Sequence, residues 1–293
     1  MSWTAIEASI TEATGRAFSA SAASPITGGC INEAMRLDGS SGSYFVKLNT
    51  SGLADMFEAE AAGLAAICAT GAIRAPEPVC WGENDRQSWL VMEYIEPGHA
   101  HSWSSERLGE KLAAMHRHSA AGFGWVRDNY IGQAPQPNNQ RQDWVEFLSG
   151  QRLGFQLELA RDNGAPGQLY DSGQRLITTL PAFFSGYQPA PSLLHGDLWG
   201  GNWACDSTGQ PVIFDPAVYF GDREADLAMT ELFGGFDDRF YHSYRQSWPI
   251  DPGYETRKVL YNLYHILNHF NLFGGGYAGQ ALGMVDRLLA EVA

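Results

Sequence analysis

The stretch "LLHGDLWGGNWACDSTGQPVIFDP", residues 193–216, constrains this chain more than any other part of it. It sets His195, Asp197, Asn202 and Asp215 among glycines and short apolar runs with strand character. Polar side chains buried at strand ends without partners cost stability, so a fold that keeps them there has a use for them. "NWACD", "STGQ" and "PVIFD" read in turn as strand, turn and strand, a hairpin. The order is therefore an Asp, an Asn after four intervening residues, and a second Asp at the far end of a hairpin.

That order meets three needs of phosphoryl transfer as protein kinases perform it. The first Asp accepts the proton of the attacking hydroxyl, the Asn binds a magnesium ion, and the second Asp binds magnesium that bridges the phosphates. Carboxylates and an amide oxygen are the hard donors that magnesium prefers. Such a site also needs a strand lysine paired with a helix glutamate. Lys47 sits inside "YFVKLN", which has the aromatic and β-branched content of a strand. Glu60, in the helical pattern "ADMFEAEAAGLAAICATG", shares a face with Phe57 and Leu64, where a carboxylate requires a partner; Glu58 points elsewhere. Before the lysine strand, "TGGCINEAMRL" places Gly28, Gly29 and Cys30 in a turn that would cover the phosphates. With a cysteine in the third position, this turn has less backbone freedom than a fully glycine-rich loop. The chain contains no G-x-x-x-x-G-K-[ST], H-E-x-x-H or G-x-S-x-G, and no G-x-G-x-x-G after a strand. P-loop, zincin, α/β-hydrolase and Rossmann readings are weakened accordingly.

The first third reads as strand, turn, strand, helix and strand, ending with "SWLVMEYIE" and broken by "PGHA". Helices dominate beyond it. "SSERLGEKLAAMHRH" sets Leu108, Leu112, Met115 and His116 on one face, and "DWVEFLSGQRLGFQLELA", "EADLAMTELF" and "TRKVLYNLYHILNHFNLF" continue the pattern, the last stopped by Gly274 to Gly276. Residues 122–140, rich in Gly, Pro, Asn and Gln, form a long connector. These patterns predict an α+β protein with a β-rich nucleotide lobe over 1–96 and a larger helical lobe over 97–293 that holds the catalytic loop and the substrate site. With 19 basic and 33 acidic residues the net charge is −14, which repels nucleic acid and anionic membrane surfaces and sits more easily with a neutral or cationic substrate. No apolar run is long enough to span a bilayer, and the expected location is the cytoplasm. Cys30, Cys68, Cys80 and Cys205 are too scattered for a disulfide framework and read as reduced thiols.

"GGCINEAMRL", "YFVKLN", "FEAEAAGL", "LLHGDLWGGNW" and "IFDPAVYFGDREADLAM" resemble the fructosamine kinase (ketosamine kinase) family, relatives of aminoglycoside and choline kinases in the protein-kinase-like fold. "NYIG", "PQPN", "DWVEFLSGQRL" and "LYNLYHILNHFNLFG" extend the resemblance over nearly the whole chain, and the Trp of "HGDLWGGN" separates this family from its aminoglycoside relatives. The resemblance implies a two-lobed kinase-like fold with ATP in the cleft between its lobes. It implies ATP-dependent phosphorylation, with Mg2+, of the sugar 3-hydroxyl of a ketosamine, the rearranged adduct of a reducing sugar with an amine. The phosphate makes the adduct prone to elimination, which frees the amine and deglycates the protein. By position, Asp197 would be the catalytic base, Asn202 and Asp215 the magnesium ligands, Lys47 the phosphate lysine and Glu60 its partner. Met92, Glu93 and Tyr94 would form the adenine hinge, and Trp199 would pack against the sugar, a use that suits an aromatic face. In relatives the loop cysteine, here Cys30, has been linked to redox sensitivity. The alternatives are a kinase for another hydroxylated amine, aminoglycoside-like or choline-like, and a catalytically silent nucleotide-binding module.

Other conspicuous polar residues read as structural. His195 bonds backbone in the loop, His116 is a core histidine with its needs met, and Asp222 and Asp226 cap or tether the loop and the helix that follows. Cys68 and Cys80 are small buried apolar residues.

Overall fold

A computed structural model describes residues 3–26 and 32–292; the expected phosphate turn of Gly28, Gly29 and Cys30 lies outside the described residues. The chain divides into two compact units, Met1–Ser104 with Ala204–Asp215, and Ser105–Trp203 with Pro216–Ala293.

The first unit opens with helix α1 (Thr4–Thr14), followed by strands β1 (Ala20–Ile26), β2 (Glu33–Gly39) and β3 (Gly42–Thr50), helix α2 (Ala54–Ala69), and strands β4 (Pro78–Glu83) and β5 (Gln87–Glu93). The strands form one antiparallel sheet in the order β1-β2-β3-β5-β4. Strand alternation divides β3 between two faces. Val46 and Leu48 pack with Ile6 and Ile10 of α1 in an apolar cluster that also takes in Leu37, Trp89 and Val91. Lys47 consequently points to the opposite face, opposed in register by Ala34 and Leu90. Helix α2 buries Phe57, Ala61, Leu64 and Ile67 and ends before Gly71, whose φ of 61° is the left-handed value glycine tolerates at a helix stop. The "SWLVMEYIE" strand stops at Glu93, short of the run read from the sequence. The hairpin of Trp203–Cys205 and Pro211–Ile213 groups with this unit from Ala204 onward.

The second unit is largely helical. It contains α3 (Ser104–His116), strands β6 (Asn129–Ile131) and β7 (Ala134–Gln136), and α4 (Trp144–Phe147), a π-helical stretch (Leu148–Gly154) and α5 (Phe155–Asp162) in unbroken succession. Then come α6 (Gly167–Phe183), α7 (Glu224–Leu232), α8 (Asp238–Ser247), α9 (Tyr254–Phe273) and α10 (Tyr277–Glu291). The core joins Leu153, Leu157, Leu176 and Leu180 to Leu260, Leu263, Ile266 and Leu267 of α9 and Val285 and Leu288 of α10. In α3, Leu108, Leu112, Met115 and His116 are all fully buried. The 122–140 connector is not structureless, because β6 and β7 pair as a tight hairpin across Gly132 and Gln133, with Gly132 at φ 62°. The segment "DWVEFLSGQRLGFQLELA" differs from a plain α-helix in its middle, where the π turn rotates the chain and buries Arg152. Strands Ser192–Leu194 and Tyr219–Gly221 pair antiparallel and bracket residues 195–218. Among the described residues no helix is long and apolar enough to cross a membrane.

Candidate active site

The first unit gathers Lys47, Glu60 and Asp215. Lys47 Nζ donates to Glu60 Oε1 and to Asp215 Oδ1, both at 2.6 Å. The sheet fixes the lysine and α2 supplies the glutamate. The third partner arrives at the end of a hairpin 168 residues further along the chain. Lys47 is buried, and burial alone would lower its pKa, but the charges of Asp215 and Glu60 outweigh it and hold the ammonium above its usual range. Burial pushes the Glu60 carboxyl upward, Lys47 draws it back, and the like charge of Asp215 adds to the push. The Asp215 side chain is 42% exposed, so one carboxylate oxygen serves the lysine and the group still reaches solvent. Asp215 is also the one non-glycine among the described residues with positive φ, at 58°. Backbone held in that region is strained and concentrates at functional positions.

The second unit gathers Asp197, Trp199 and Asn202 on a loop tied at several points. Asn202 is buried, and its Nδ2 donates to the Asp197 carbonyl at 2.8 Å and to Asp197 Oδ2 at 3.4 Å. The Asn202 N–H donates to the Trp199 carbonyl at 2.9 Å, closing the turn. Trp199 is 40% exposed, and a Cβ on Gly201 would stand 2.3 Å from its ring, so the glycine leaves room for the indole. His195 is buried, its N–H donates to Asp226 Oδ2 at 2.7 Å, and its Nδ1 accepts from the Asp197 N–H at 3.3 Å. The Gly196 N–H donates to the other Asp226 oxygen at 2.8 Å. Gly196 has φ 83°, and a Cβ there would lie 2.0 Å from the Ala217 carbonyl oxygen, so no other residue fits.

Asp226 is thus the tether of the loop. His116 Nε2 lies 3.0 Å from Asp226 Oδ2, and His116 Nδ1 lies 2.8 Å from the Tyr244 hydroxyl. Burial would raise the Asp226 carboxyl, yet the hydrogen bonds from His116 and the Gly196 N–H hold it below its usual value. Asp222 accepts from the hydroxyls of Tyr261 (2.5 Å) and Tyr187 (3.0 Å) and from the Glu224 N–H (3.0 Å). Burial outweighs these donors and raises its pKa.

At the expected hinge, Met92 is buried, the Glu93 N–H donates to the Glu77 carbonyl at 2.8 Å, and Arg36 lies 4.3 Å over the Tyr94 ring. Arg74, which sequence reasoning passed over, joins Glu93 Oε1 (2.7 Å) to Asp206 Oδ2 (3.1 Å) in the hairpin that ends at Asp215. Its only sequence signal is a charged residue in the otherwise apolar run "GAIRAP". Cys80 is buried and its thiol is pushed up to about 12 by that burial, while Cys68 is half-buried and raised in the same way.

Comparison with known proteins follows the same lines. The fructosamine kinase family profile matches residues 2–291. The chain is 48% identical over 288 residues to a Synechocystis protein named "Probable ketoamine kinase", covering 98% of this chain and 97% of that one. It is 46% identical over 278 residues to the chloroplastic protein-ribulosamine 3-kinase of Oryza sativa subsp. indica, covering 94% of this chain and 81% of that one. Among solved structures, a protein from Thermobifida fusca assigned as a fructosamine-3-kinase superposes with a TM-score of 0.85 at 33% identity, over 97% of this chain and 98% of that one. A thermostable mutant of the aminoglycoside phosphotransferase APH(4)-Ia, in a ternary complex with AMP-PNP and hygromycin B, shares the fold at a TM-score of 0.63 and 17% identity, over 98% of each chain. A family match that runs almost from end to end, joined by relatives nearly half identical over the same span, means that this chain belongs to the fructosamine kinase family.

Proposed function

We propose that the protein transfers the γ-phosphoryl group of ATP to the sugar 3-hydroxyl of a ketosamine. The observation that carries this reading is Lys47 Nζ held at 2.6 Å by both Glu60 and Asp215, a charged donor fixed for phosphate oxygens. Family membership and relatives named for ketoamines and ribulosamines support the substrate class.

Each unit offers an oxygen donor of the kind magnesium prefers. Asn202 turns its amide nitrogen to Asp197, which leaves its oxygen for a hard cation, and Asp215 keeps a carboxylate oxygen beyond the one on Lys47. Magnesium is commonly held by one or two protein oxygens together with substrate phosphates. When bound, it neutralises charge developing on the β- and γ-phosphates. The chain's own residues do the rest. Lys47 binds the α- and β-phosphates, and Glu60 holds it in place. Asp197 accepts the proton of the 3-hydroxyl as that oxygen bonds to the γ-phosphorus and the bond to the bridging oxygen of ADP breaks. Trp199 offers an exposed face to the C–H surface of the sugar, and the backbone of Met92 to Tyr94 meets the adenine. The product's 1,2-enaminol then expels inorganic phosphate from C3, and water hydrolyses the resulting C1 imine, which frees the amine and leaves a 3-deoxy dicarbonyl sugar.

Incubating the protein with Mg-ATP and a panel of synthetic fructosamines and ribulosamines, and locating the phosphate by NMR, tests the reading. Phosphate on O3 is the expected result, and Asp197→Asn should abolish it. Transfer to aminoglycosides or choline with none to ketosamines would overturn the substrate class, and unchanged turnover in Asp197→Asn would overturn the base.

A further inference from the structure

The motifs "NYIG" and "PQPN" play no part in the chemistry above, yet they carry deeply buried polar side chains: Asn129, Gln136 and Asn138 are all almost inaccessible. Gln136 Nε2 donates to the Ala217 carbonyl at 3.1 Å and to Asn129 Oδ1 at 2.8 Å, and Gln136 Oε1 accepts from the Tyr264 hydroxyl at 2.7 Å. Asn129 Nδ2 donates to the Val218 carbonyl at 2.8 Å, and Asn138 Nδ2 donates to Asn129 Oδ1 at 2.7 Å. Arg152 closes the network by donating to Asn138 Oδ1 at 2.7 Å, its guanidinium 3.9 Å over the Tyr219 ring.

The two carbonyls that these amides hold belong to the peptides just after Asp215 in sequence. The Ala217 N–H donates to the His195 carbonyl at 2.8 Å, and Asp197 follows His195 by two residues. Both backbone polar groups of Ala217 are therefore committed, one to the Asp197 loop and one to Gln136. The ideal Cβ position of Gly196 only 2.0 Å from the Ala217 oxygen shows how closely the loop lies on this peptide. Apolar side chains of similar volume would fill the same space but leave the Ala217 and Val218 carbonyls without these donors, so the amides are what hold this stretch of backbone.

We infer that Gln136, oriented by Tyr264 and Asn129, is a positioning residue for phosphate transfer: it fixes the peptide on which the Asp197 loop rests. The inference rests on the reading of Asp197 as the base. Gln136 touches neither sugar nor nucleotide in this scheme, so its loss should disturb alignment in the transition state and leave binding of the two substrates intact. A displacement of the base of the order of 1 Å lowers turnover about 100-fold, so the effect on kcat is large enough to read.

Gln136→Met keeps the length of the side chain and removes the amide. The expected result is a fall in kcat of about 10- to 100-fold, with KM for Mg-ATP and ketosamine within about twofold of the starting protein. Hydrogen exchange of peptides spanning 193–203 should quicken about tenfold while those of α6 and α10 stay as they were. Tyr264→Phe removes only the hydroxyl, is expected to act in the same direction by a smaller factor, and decides the matter should Gln136→Met not fold. Gln136→Glu adds a pH signature, because a protonated carboxyl donates to the Ala217 carbonyl and an ionised one repels it. Relative to the starting protein, its kcat should recover as pH falls. Unchanged kcat in the folded variants, a rise in KM alone, or exchange quickened throughout the molecule would each overturn the inference. If the starting protein phosphorylates no ketosamine, the proposed function falls, and the exchange pattern still decides whether Gln136 holds the loop.

Discussion

Lys47 is costly to bury, and two carboxylates, those of Glu60 and Asp215, accompany it. Lys47→Ala should lower phosphate transfer at least about 100-fold and destabilise the protein by about 3 kcal/mol, because Glu60 is left buried without a cation. Steady-state assay and urea unfolding check the two parts. Lys47→Met combined with Glu60→Leu should regain most of the stability and none of the activity, since an apolar pair can replace a buried ion pair in packing alone. Asp226 carries a different signature. Its folded pKa lies below the ordinary value of 3.8, so its contribution is complete above that value and is lost as pH falls through the depressed folded pKa. The advantage of the natural protein over Asp226→Asn in urea midpoint should therefore be largest at neutral pH and shrink below about pH 4. At this scale the sequence is legible where a residue type conflicts with its local period. A lysine inside an apolar strand and a glutamate on an apolar helix face point to each other, and β3 and α2 place them in contact. The second partner of Lys47 was not legible as a contact, because it depends on a chain path 168 residues long and on a left-handed backbone at Asp215.

Elements were legible in proportion to the strength of their period. β3, α2, α3 and α9 have clear apolar faces and were read directly. Helices α1, α6, α8 and α10 were not named, and the reasons are local. α6 carries Gly173 and Pro181 within its span, and α8 buries little beyond Phe240, Ser243 and Tyr244. The 122–140 region hid its hairpin because Asn129, Gln136 and Asn138, which polarity scales read as surface, are buried in it beside only a few apolar residues such as Ile131 and Ala134. The π-helical stretch was invisible for another reason: one extra residue in a turn leaves composition unchanged. It has a testable consequence. Deleting the exposed Gly150 should restore an α-helical turn, rotate Arg152 away from Tyr219 and Asn138, and cost about 3 kcal/mol through the buried groups left unpaired. Circular dichroism melting would show it, and a deletion variant as stable as the parent would mean that Arg152 does not depend on the π turn.

For the whole molecule, a net charge of −14 sets the field through which substrates arrive. A ketosamine bearing a protonated amine should be drawn in, so its KM should rise about threefold between low and high salt, an effect absent for an uncharged acceptor analogue. Steady-state assays at fixed Mg-ATP check this. The helix-rich and sheet-rich regions were legible from composition and period, but the membership of the first unit was not, because it is discontinuous: Met1–Ser104 is joined by Ala204–Asp215. That discontinuity fixes a schedule for the nascent chain. A ribosome that has made the whole sheet still holds a lysine with one of its two counter-ions, and the second follows only after about 120 further residues, most of them belonging to the other unit. At about 5–20 residues per second the wait lasts roughly 6 to 24 seconds. During that wait the unit is incomplete, and any message cut short before Asp215 yields a sheet that never acquires its second carboxylate.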